Sequence, residues 1–112
     1  MITVTAFIVL AAIGALTRAE VARRGNRPDF PWGTISVNVS GAFLLGALHN
    51  IAPPVLTVVG TAGLGAYTTF SSFAADTVSL AQRRSIIRAA AYVAVTVVAG
   101  VAAAALGRDL VA

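Results

Sequence analysis

The chain has 112 residues, of which 58% are hydrophobic and 11% are charged, whereas a soluble domain carries about 25% charged residues. Its mean hydropathy of +0.88 indicates an integral membrane protein. It contains no cysteine, which excludes disulfide and thiol chemistry, and its net charge of +4 includes no basic stripe interleaved with aromatic residues, so no nucleic-acid partner is expected.

The hydrophobic pattern divides the chain into four segments, each close to the roughly 20 residues that cross a bilayer. We therefore predict an all-α protein with a single membrane domain over residues 1–112. The spans are predicted at residues 2–22, 32–51, 55–80 and 86–106. Gly and Pro in the charged connection after the first span mark a turn, and Pro53 and Pro54 end the second span.

The third predicted span contains the least helix-like sequence of the chain. Residues 65–73 read Gly-Ala-Tyr-Thr-Thr-Phe-Ser-Ser-Phe, and Gly60 and Gly63 precede them. Within a bilayer, backbone groups released from a helix need other partners, so broken helices persist only where they are buried in protein or line a wet cavity or ion site. The sequence thus predicts that the third helix is broken near its middle and that the functional site lies there.

Aromatic and hydroxyl side chains at this break favour an anion pathway. Phe70 and Phe73 share one face if a helix resumes near Thr69, although such pairs also occur in cores or facing lipid. The positive edges of their rings can contact an anion whose water is replaced by hydroxyls such as those of Ser71 and Ser72. Either serine could instead cap the helix. The carboxylates are expected in loops or near span ends, where they do not repel an anion: Glu20, Asp29, Asp76 and Asp109.

Other polar positions each have two possible roles. Freed carbonyl oxygens, such as those of Gly65 and Thr68, can ligate a hard cation such as Na⁺. Asn38 in the second span carries an uncharged amide that can donate two hydrogen bonds, either to an anion or between helices. Tyr92 and Thr96 place two hydroxyls on one face of the fourth span, with back-bonding of the threonine to its own helix as the alternative.

The arginines are unevenly distributed between the predicted connections. One side of the membrane would collect seven, and the other would have only Arg108: the seven are Arg18, Arg23, Arg24, Arg27, Arg83, Arg84 and Arg88. Because arginine-rich connections tend to stay on the cytoplasmic side, both termini are expected to face outward.

Three motifs resemble those of one family, the small bacterial fluoride channels called Fluc or CrcB. They are Gly14-Ala-Leu-Thr-Arg18, then Gly33-Thr-Ile-Ser-Val-Asn38 followed by Gly41, and above all Gly65 to Phe73. The resemblance covers nearly the whole chain. It implies an antiparallel, dual-topology dimer in the inner (cytoplasmic) membrane, with two fluoride pores at the subunit interface and a central structural Na⁺. The implied function is passive, fluoride-selective export that lowers cytoplasmic fluoride toxicity.

The resemblance also implies roles for individual residues. Phe70 and Phe73 would be the pore aromatics, Asn38 the pore amide, and Gly65 and Thr68 the residues whose backbone carbonyls bind Na⁺. Further roles are implied as pore hydroxyls for Ser71 and Ser72, as the polar track of the fourth span for Tyr92 and Thr96, and as a vestibular or structural group for Arg18. Two departures are Ser72, where many relatives have threonine, and Ala66, where relatives usually have glycine beside the Na⁺ ligands.

The arginine distribution bears on the dimer, because a homodimer of opposite orientations requires a chain that inserts both ways. The bias favours pairing with an oppositely oriented paralogue over a homodimer. A four-span multidrug/proton antiporter is an alternative, but it needs a membrane-embedded carboxylate, and Glu20 lies too near a span end. A non-transporting membrane assembly protein is another, but it leaves the hydroxyl-rich third span unexplained. No enzyme is expected, because no nucleophile and base, metal cluster or phosphate loop is present.

Overall fold

The computed structural model describes residues 2–50, 55 and 57–111. Four helices make up most of it, and they are α1 (Ile2–Gly25), α2 (Trp32–Ala47), α3 (Phe70–Arg83) and α4 (Ile86–Val111). Within the described ranges there is no β-strand, only an isolated bridge between Arg27 and Phe30 in the α1–α2 connection. The expected all-α architecture is confirmed.

A lead-in segment, Thr57–Tyr67, precedes α3. It is π-helical over Thr57–Leu64 and continues as a short α-helix over Gly65–Tyr67. Thr68 and Thr69 are then extended, with φ/ψ of −74°/159° and −148°/113°, and α3 begins at Phe70. The two extended residues separate the helical segments by roughly two peptide units. The predicted end of the second span at Ile51 and the Pro53-Pro54 pair lie outside the described residues.

The α1–α2 connection is closed by the side chain of Asn26. Its Oδ1 accepts a hydrogen bond of 2.9 Å from Thr34 N–H, in the first turn of α2. Its Nδ2 donates to Thr34 Oγ1 at 3.2 Å. Since the first turn of a helix has N–H groups with no helical acceptor, Asn26 caps α2 from the end of the preceding helix.

The α2 and α4 helices form the most extensive contact in the fold. A Cβ added at Gly46 would meet the backbone of Ala104, and one added at Gly107 would meet the backbone of Phe43 and Ala47. The helices therefore approach each other at two positions where only glycine fits. On either side of this pair, α1 packs on α2 and the lead-in segment, and α3 packs on α4.

The assembled chain is a slab that measures 47 × 29 × 18 Å along its principal axes. Since a helix with its side chains is about 10 Å across, the slab is two helices thick. Two of the described helices, α1 and α4, are long and apolar enough to cross a membrane. Their apolar windows are only 6% and 11% buried, which differs from the core helices of a soluble protein. Their exposed apolar side chains include Ile8, Leu16, Val98 and Leu106.

Candidate functional site

Asn38 of α2 is bonded to the backbone of the extended residue Thr69. Asn38 Oδ1 accepts a hydrogen bond of 2.8 Å from Thr69 N–H, and Asn38 Nδ2 donates one of 3.2 Å to Thr69 O. The side-chain amide of Asn38 therefore bonds both the N–H and the C=O of Thr69, which have no helical partners because Thr69 is extended. This contact joins α2 to the point where the lead-in segment gives way to α3.

Thr69 also forms the N-terminal cap of α3. Its Oγ1 accepts a hydrogen bond of 3.0 Å from Ser72 N–H and lies 3.3 Å from Ser71 Oγ. The sequence allowed either serine as the cap, whereas the structure assigns the cap to the threonine before them. The reason is geometric, because the cap residue must itself be non-helical and Thr69 is the last extended residue.

The interruption leaves backbone carbonyls without their helical donors, including those of Gly65 and Thr68. In a continuous helix Thr69 N–H would bond Gly65 O and Ser72 N–H would bond Thr68 O. Here the first N–H donates to Asn38 and the second to Thr69 Oγ1. Thr68 Oγ1 donates a hydrogen bond of 3.0 Å to Leu64 O, so this hydroxyl does not supply a replacement donor for either carbonyl. Gly65 and Thr68, the two residues predicted to contribute carbonyl ligands, are thus among the residues whose carbonyl oxygens lose their helical donors at this break.

A groove of about 360 Å³ brings together most of the residues predicted for the pore. It is lined by Asn38, Thr68, Thr69, Phe70, Phe73, Thr96 and Val97. Thr96 Oγ1 is buried and has no hydrogen-bond partner within the described part of the chain. The back-bonding that usually satisfies a helical threonine is absent at this residue. The groove therefore contains a polar atom that could bond a ligand.

The two phenylalanines of the groove have different environments. Phe70 is 80% exposed, and its ring centroid lies 6.1 Å from that of Phe73. Phe73 packs at 5.3 Å on Tyr92 of α4, whose ring also contacts Phe30 of the α1–α2 connection edge-on at 5.6 Å. Phe73 is thus held in position by the fold, while Phe70 has little protein around it.

Tyr92 lies in the core and does not line the groove with Thr96. It is fully buried, and Tyr92 Oη donates a hydrogen bond of 3.3 Å to Asp76 Oδ2. Asp76, which was expected in a loop or near a span end, lies within α3, seven residues before its last residue, Arg83. The sequence did not predict the pair because Asp76 and Tyr92 lie in different helices.

Ser71, Ser72 and Arg18 lie on a different side of Thr69 from the phenylalanines. They line a pocket of about 300 Å³ between α1, α2 and the start of α3. Asn38, Gly65 and Thr68 line a third groove, of about 510 Å³, between α2 and the lead-in segment. The predicted residues therefore all surround Thr68 and Thr69, apart from Tyr92, but they line three openings around them.

The model of the family described as "CrcB-like protein, Camphor Resistance (CrcB)" matches residues 5–108 of the chain. The chain belongs to this family. The matched range of this CrcB-like chain includes every residue of the candidate site.

Named relatives of this CrcB-like chain match over most of its length. It is 42% identical to "Fluoride-specific ion channel FluC 2" of Mycolicibacterium paratuberculosis, over 98% of this chain and 97% of that protein. It is 37% identical to "Fluoride-specific ion channel FluC" of Agrobacterium fabrum, over 98% and 99%. It is also 37% identical to "Fluoride-specific ion channel FluC 1" of Ligilactobacillus salivarius, over 87% and 89%. The family resemblance drawn from the sequence motifs is confirmed.

Proposed function

We propose that this CrcB-like chain is a passive, fluoride-selective ion channel that exports fluoride across the cytoplasmic membrane and lowers its toxicity in the cytoplasm. The observation that carries the proposal is the 42% identity, over 98% of the chain, to a relative named a fluoride-specific ion channel. The groove at the Thr68-Thr69 junction adds physical support, since it combines amide, hydroxyl and aromatic groups without a carboxylate among its lining residues. Conduction has no catalytic step, so the protein is no enzyme.

The chain would cross the membrane four times, at residues 2–22, 32–51, 55–80 and 86–106. In this arrangement the lead-in segment and α3 form one interrupted span, with Thr68 and Thr69 at the interruption. The bonds from Asn38 to Thr69 support the arrangement, because a non-helical residue in hydrocarbon must have its backbone groups satisfied by protein. The exposed apolar surfaces of α1 and α4 would face lipid.

Fluoride binding in the groove would replace water with protein donors. Asn38 uses one N–H of its amide on Thr69 O, so the second N–H remains to donate to an anion. The Thr96 hydroxyl supplies another donor, and the edges of Phe70 and Phe73 supply weak positive charge. On the adjoining side, Ser71 and Ser72 would add hydroxyls and Arg18 would attract anions to the vestibule. Tyr92 would act from the core, by fixing the ring of Phe73.

One chain supplies only part of such a pore. The slab is 18 Å thick, and Phe70 is 80% exposed within it. A second subunit in the opposite orientation would cover Phe70 and complete the lining of the groove. The relatives include proteins named both FluC 1 and FluC 2, and with the arginine bias this favours a dimer of two paralogues over a homodimer.

A structural Na⁺ at the centre of that dimer fits the carbonyls released at the junction. Sodium prefers oxygen ligands, and the Gly65 and Thr68 carbonyls have lost their helical donors. Two carbonyls from each of two chains would give four ligands. Bound there, the ion would hold the two junctions together through its charge. Ala66 lies between Gly65 and Thr68 in the sequence, and its methyl group leaves the backbone carbonyls of both residues in place.

Fluoride efflux from liposomes that contain the purified chain tests the proposal. Fluoride and chloride electrodes would record release after the vesicles are made permeable to potassium. We expect fluoride efflux with no chloride efflux, either from the chain alone or after reconstitution with an oppositely oriented paralogue. Well-folded protein that releases no fluoride in either preparation would contradict the channel function.

A multidrug/proton antiporter is disfavoured by the names of the relatives, although Asp76 supplies a carboxylate within a helix. Fluoride efflux, together with no proton movement when drugs are added, would exclude the antiporter. A non-transporting membrane assembly protein would give no ion flux in any of these preparations.

A further inference from the structure

The net charge of the chain is concentrated at one end of the fold. Hydrogen bonds join the α3–α4 turn to the α1–α2 connection there. Arg84 Nη2 donates to Pro28 O and Arg88 Nη1 donates to Asp29 O, both at 3.3 Å. We call this surface the basic end and define it by six arginines: Arg23, Arg24, Arg27, Arg83, Arg84 and Arg88.

The basic end is poorly neutralised by the protein. It includes only two carboxylates, those of Glu20 and Asp29, so its formal charge is +4, which equals the net charge of the whole chain. Glu20 pairs with Arg23 and Arg24 at 2.6 Å each. No other ion pair occurs among residues 2–50, 55 and 57–111, and Arg84 and Arg88 bond only neutral carbonyls. Four of the six arginines of the basic end therefore have no carboxylate partner within the described part of the chain.

Apolar side chains border these guanidinium groups. Ile86 and Ile87 lie between Arg84 and Arg88 and are 72% and 82% exposed. Trp32, which begins α2 at the same end, is 49% exposed. Exposed isoleucines are unfavourable against nucleic acid or a soluble acidic partner. At a bilayer surface they contact acyl chains while arginine and tryptophan lie at the headgroup level.

We propose that the basic end binds an anionic phospholipid of the phosphatidylglycerol class. Guanidinium groups bind phosphate oxygens through paired hydrogen bonds, and Arg27 and Arg83 make no side-chain hydrogen bond to the described protein. These two arginines hold the phosphate together with the free N–H groups of Arg84 and Arg88. The acyl chains lie along Ile86, Ile87 and the apolar surface of α4. The proposal is independent of what the protein conducts.

Native mass spectrometry of the purified full chain, released from nanodiscs of phosphatidylcholine with added phosphatidylglycerol, tests this binding. The variant Arg27→Gln/Arg83→Gln removes no side-chain hydrogen bond or ion pair of the described residues, so circular dichroism should show an unchanged fold. Because each of the two arginines contributes about fivefold to the binding of an anionic headgroup, we expect the apparent affinity of the variant for phosphatidylglycerol to fall about thirtyfold. Arg108→Gln, which removes one charge from the end of α4, is the control and should bind as the wild type does.

The two remaining outcomes would each overturn the proposal. Equal retention of phosphatidylglycerol by wild type and Arg27→Gln/Arg83→Gln would mean that the basic end does not hold the lipid. Inorganic phosphate at millimolar concentration should not displace the lipid, because it cannot contact Ile86 and Ile87. Displacement by phosphate would indicate a site for free anions instead.

Discussion

The α2–α4 contact and the Thr68-Thr69 junction are held together by opposite means. In the α2–α4 contact, regular helices meet at Gly46 and Gly107, where the backbones are too close for any side chain. At the junction the helix is interrupted, and directional hydrogen bonds from Asn38 and Thr69 replace the helical ones. The first region depends on the absence of side-chain atoms and the second on particular side-chain atoms.

The difference separates stability from function. A close helix contact gains van der Waals energy over its whole length and tolerates no added atom, so its substitution should reduce stability most. The hydrogen bonds of the junction satisfy backbone groups that are in an irregular conformation. Its substitution should alter ion flow at a smaller cost in stability.

The largest expected effect is that of Gly107→Ala. The new Cβ would meet the backbone carbonyl of Phe43, which cannot rotate away as a flexible side chain could. We expect a loss of about 3 kcal/mol of unfolding free energy, in line with overpacked cores. Unfolding in mixed micelles with increasing dodecyl sulfate, followed by circular dichroism, would measure it. Gly100→Ala on the same helix is the control, since a Cβ at Gly100 meets nothing within 4 Å; equal losses would contradict the close contact.

The next largest effect is expected for Asn38→Asp. A carboxylate can still accept from Thr69 N–H, but it cannot donate to Thr69 O and places a negative oxygen near it. We expect a loss of about 2 kcal/mol, typical of a buried acceptor left unpaired, together with reduced fluoride efflux from liposomes. Ser36→Ala is the control on the same helix, because the Ser36 hydroxyl donates to the carbonyl of Trp32 in its own helix and not to the junction. Wild-type efflux from Asn38→Asp would remove Asn38 from the pathway.

A smaller effect is expected for Thr69→Val, which keeps the shape of the residue but removes the cap of α3. The loss should be about 1 kcal/mol, as for other N-caps, and it would appear in the same dodecyl sulfate titration. Thr69→Ser keeps the hydroxyl that accepts from Ser72 N–H and should retain most of the stability. If Thr69→Ser were destabilised while Thr69→Val were as stable as the wild type, the methyl group and not the hydroxyl would be the stabilising part.

The smallest effect on stability is expected for Phe70→Ile. Because Phe70 is 80% exposed within the chain, its loss should change the unfolding free energy of the single chain by less than about 0.5 kcal/mol. Fluoride efflux should nevertheless fall, because a ring edge is lost from the pathway. Phe73→Ile should reduce both efflux and stability, since Phe73 packs on Tyr92. Unchanged efflux in both variants would contradict the assignment of the aromatics to the pore.

The helical architecture could be predicted from hydrophobic patterning alone, and the motifs also identified the family correctly. Both depend on features that are local in sequence, namely the length of apolar segments and the spacing of Gly, Asn and Phe. The extended residues Thr68 and Thr69 lie within the Gly-rich and hydroxyl-rich segment that the sequence singled out. These are the properties that a sequence states directly.

The partners of the polar residues could not be predicted in the same way. The bonds between Asn38 and Thr69 join residues 31 positions apart, and the bond between Tyr92 and Asp76 joins residues 16 positions apart. Serine, threonine and asparagine all favour N-cap positions, so residue type could not decide between Thr69 and the two serines after it. Which of them caps α3 depends on which residue is the last extended one.

The 18 Å thickness of the slab has a genetic consequence under the proposed pairing. If two polypeptides line each pore, a defective allele also inactivates channels that contain an intact subunit, because defective subunits pair with intact ones. A cell that carries both alleles would then show a dominant loss of fluoride resistance. A self-contained single-chain channel would show a recessive one.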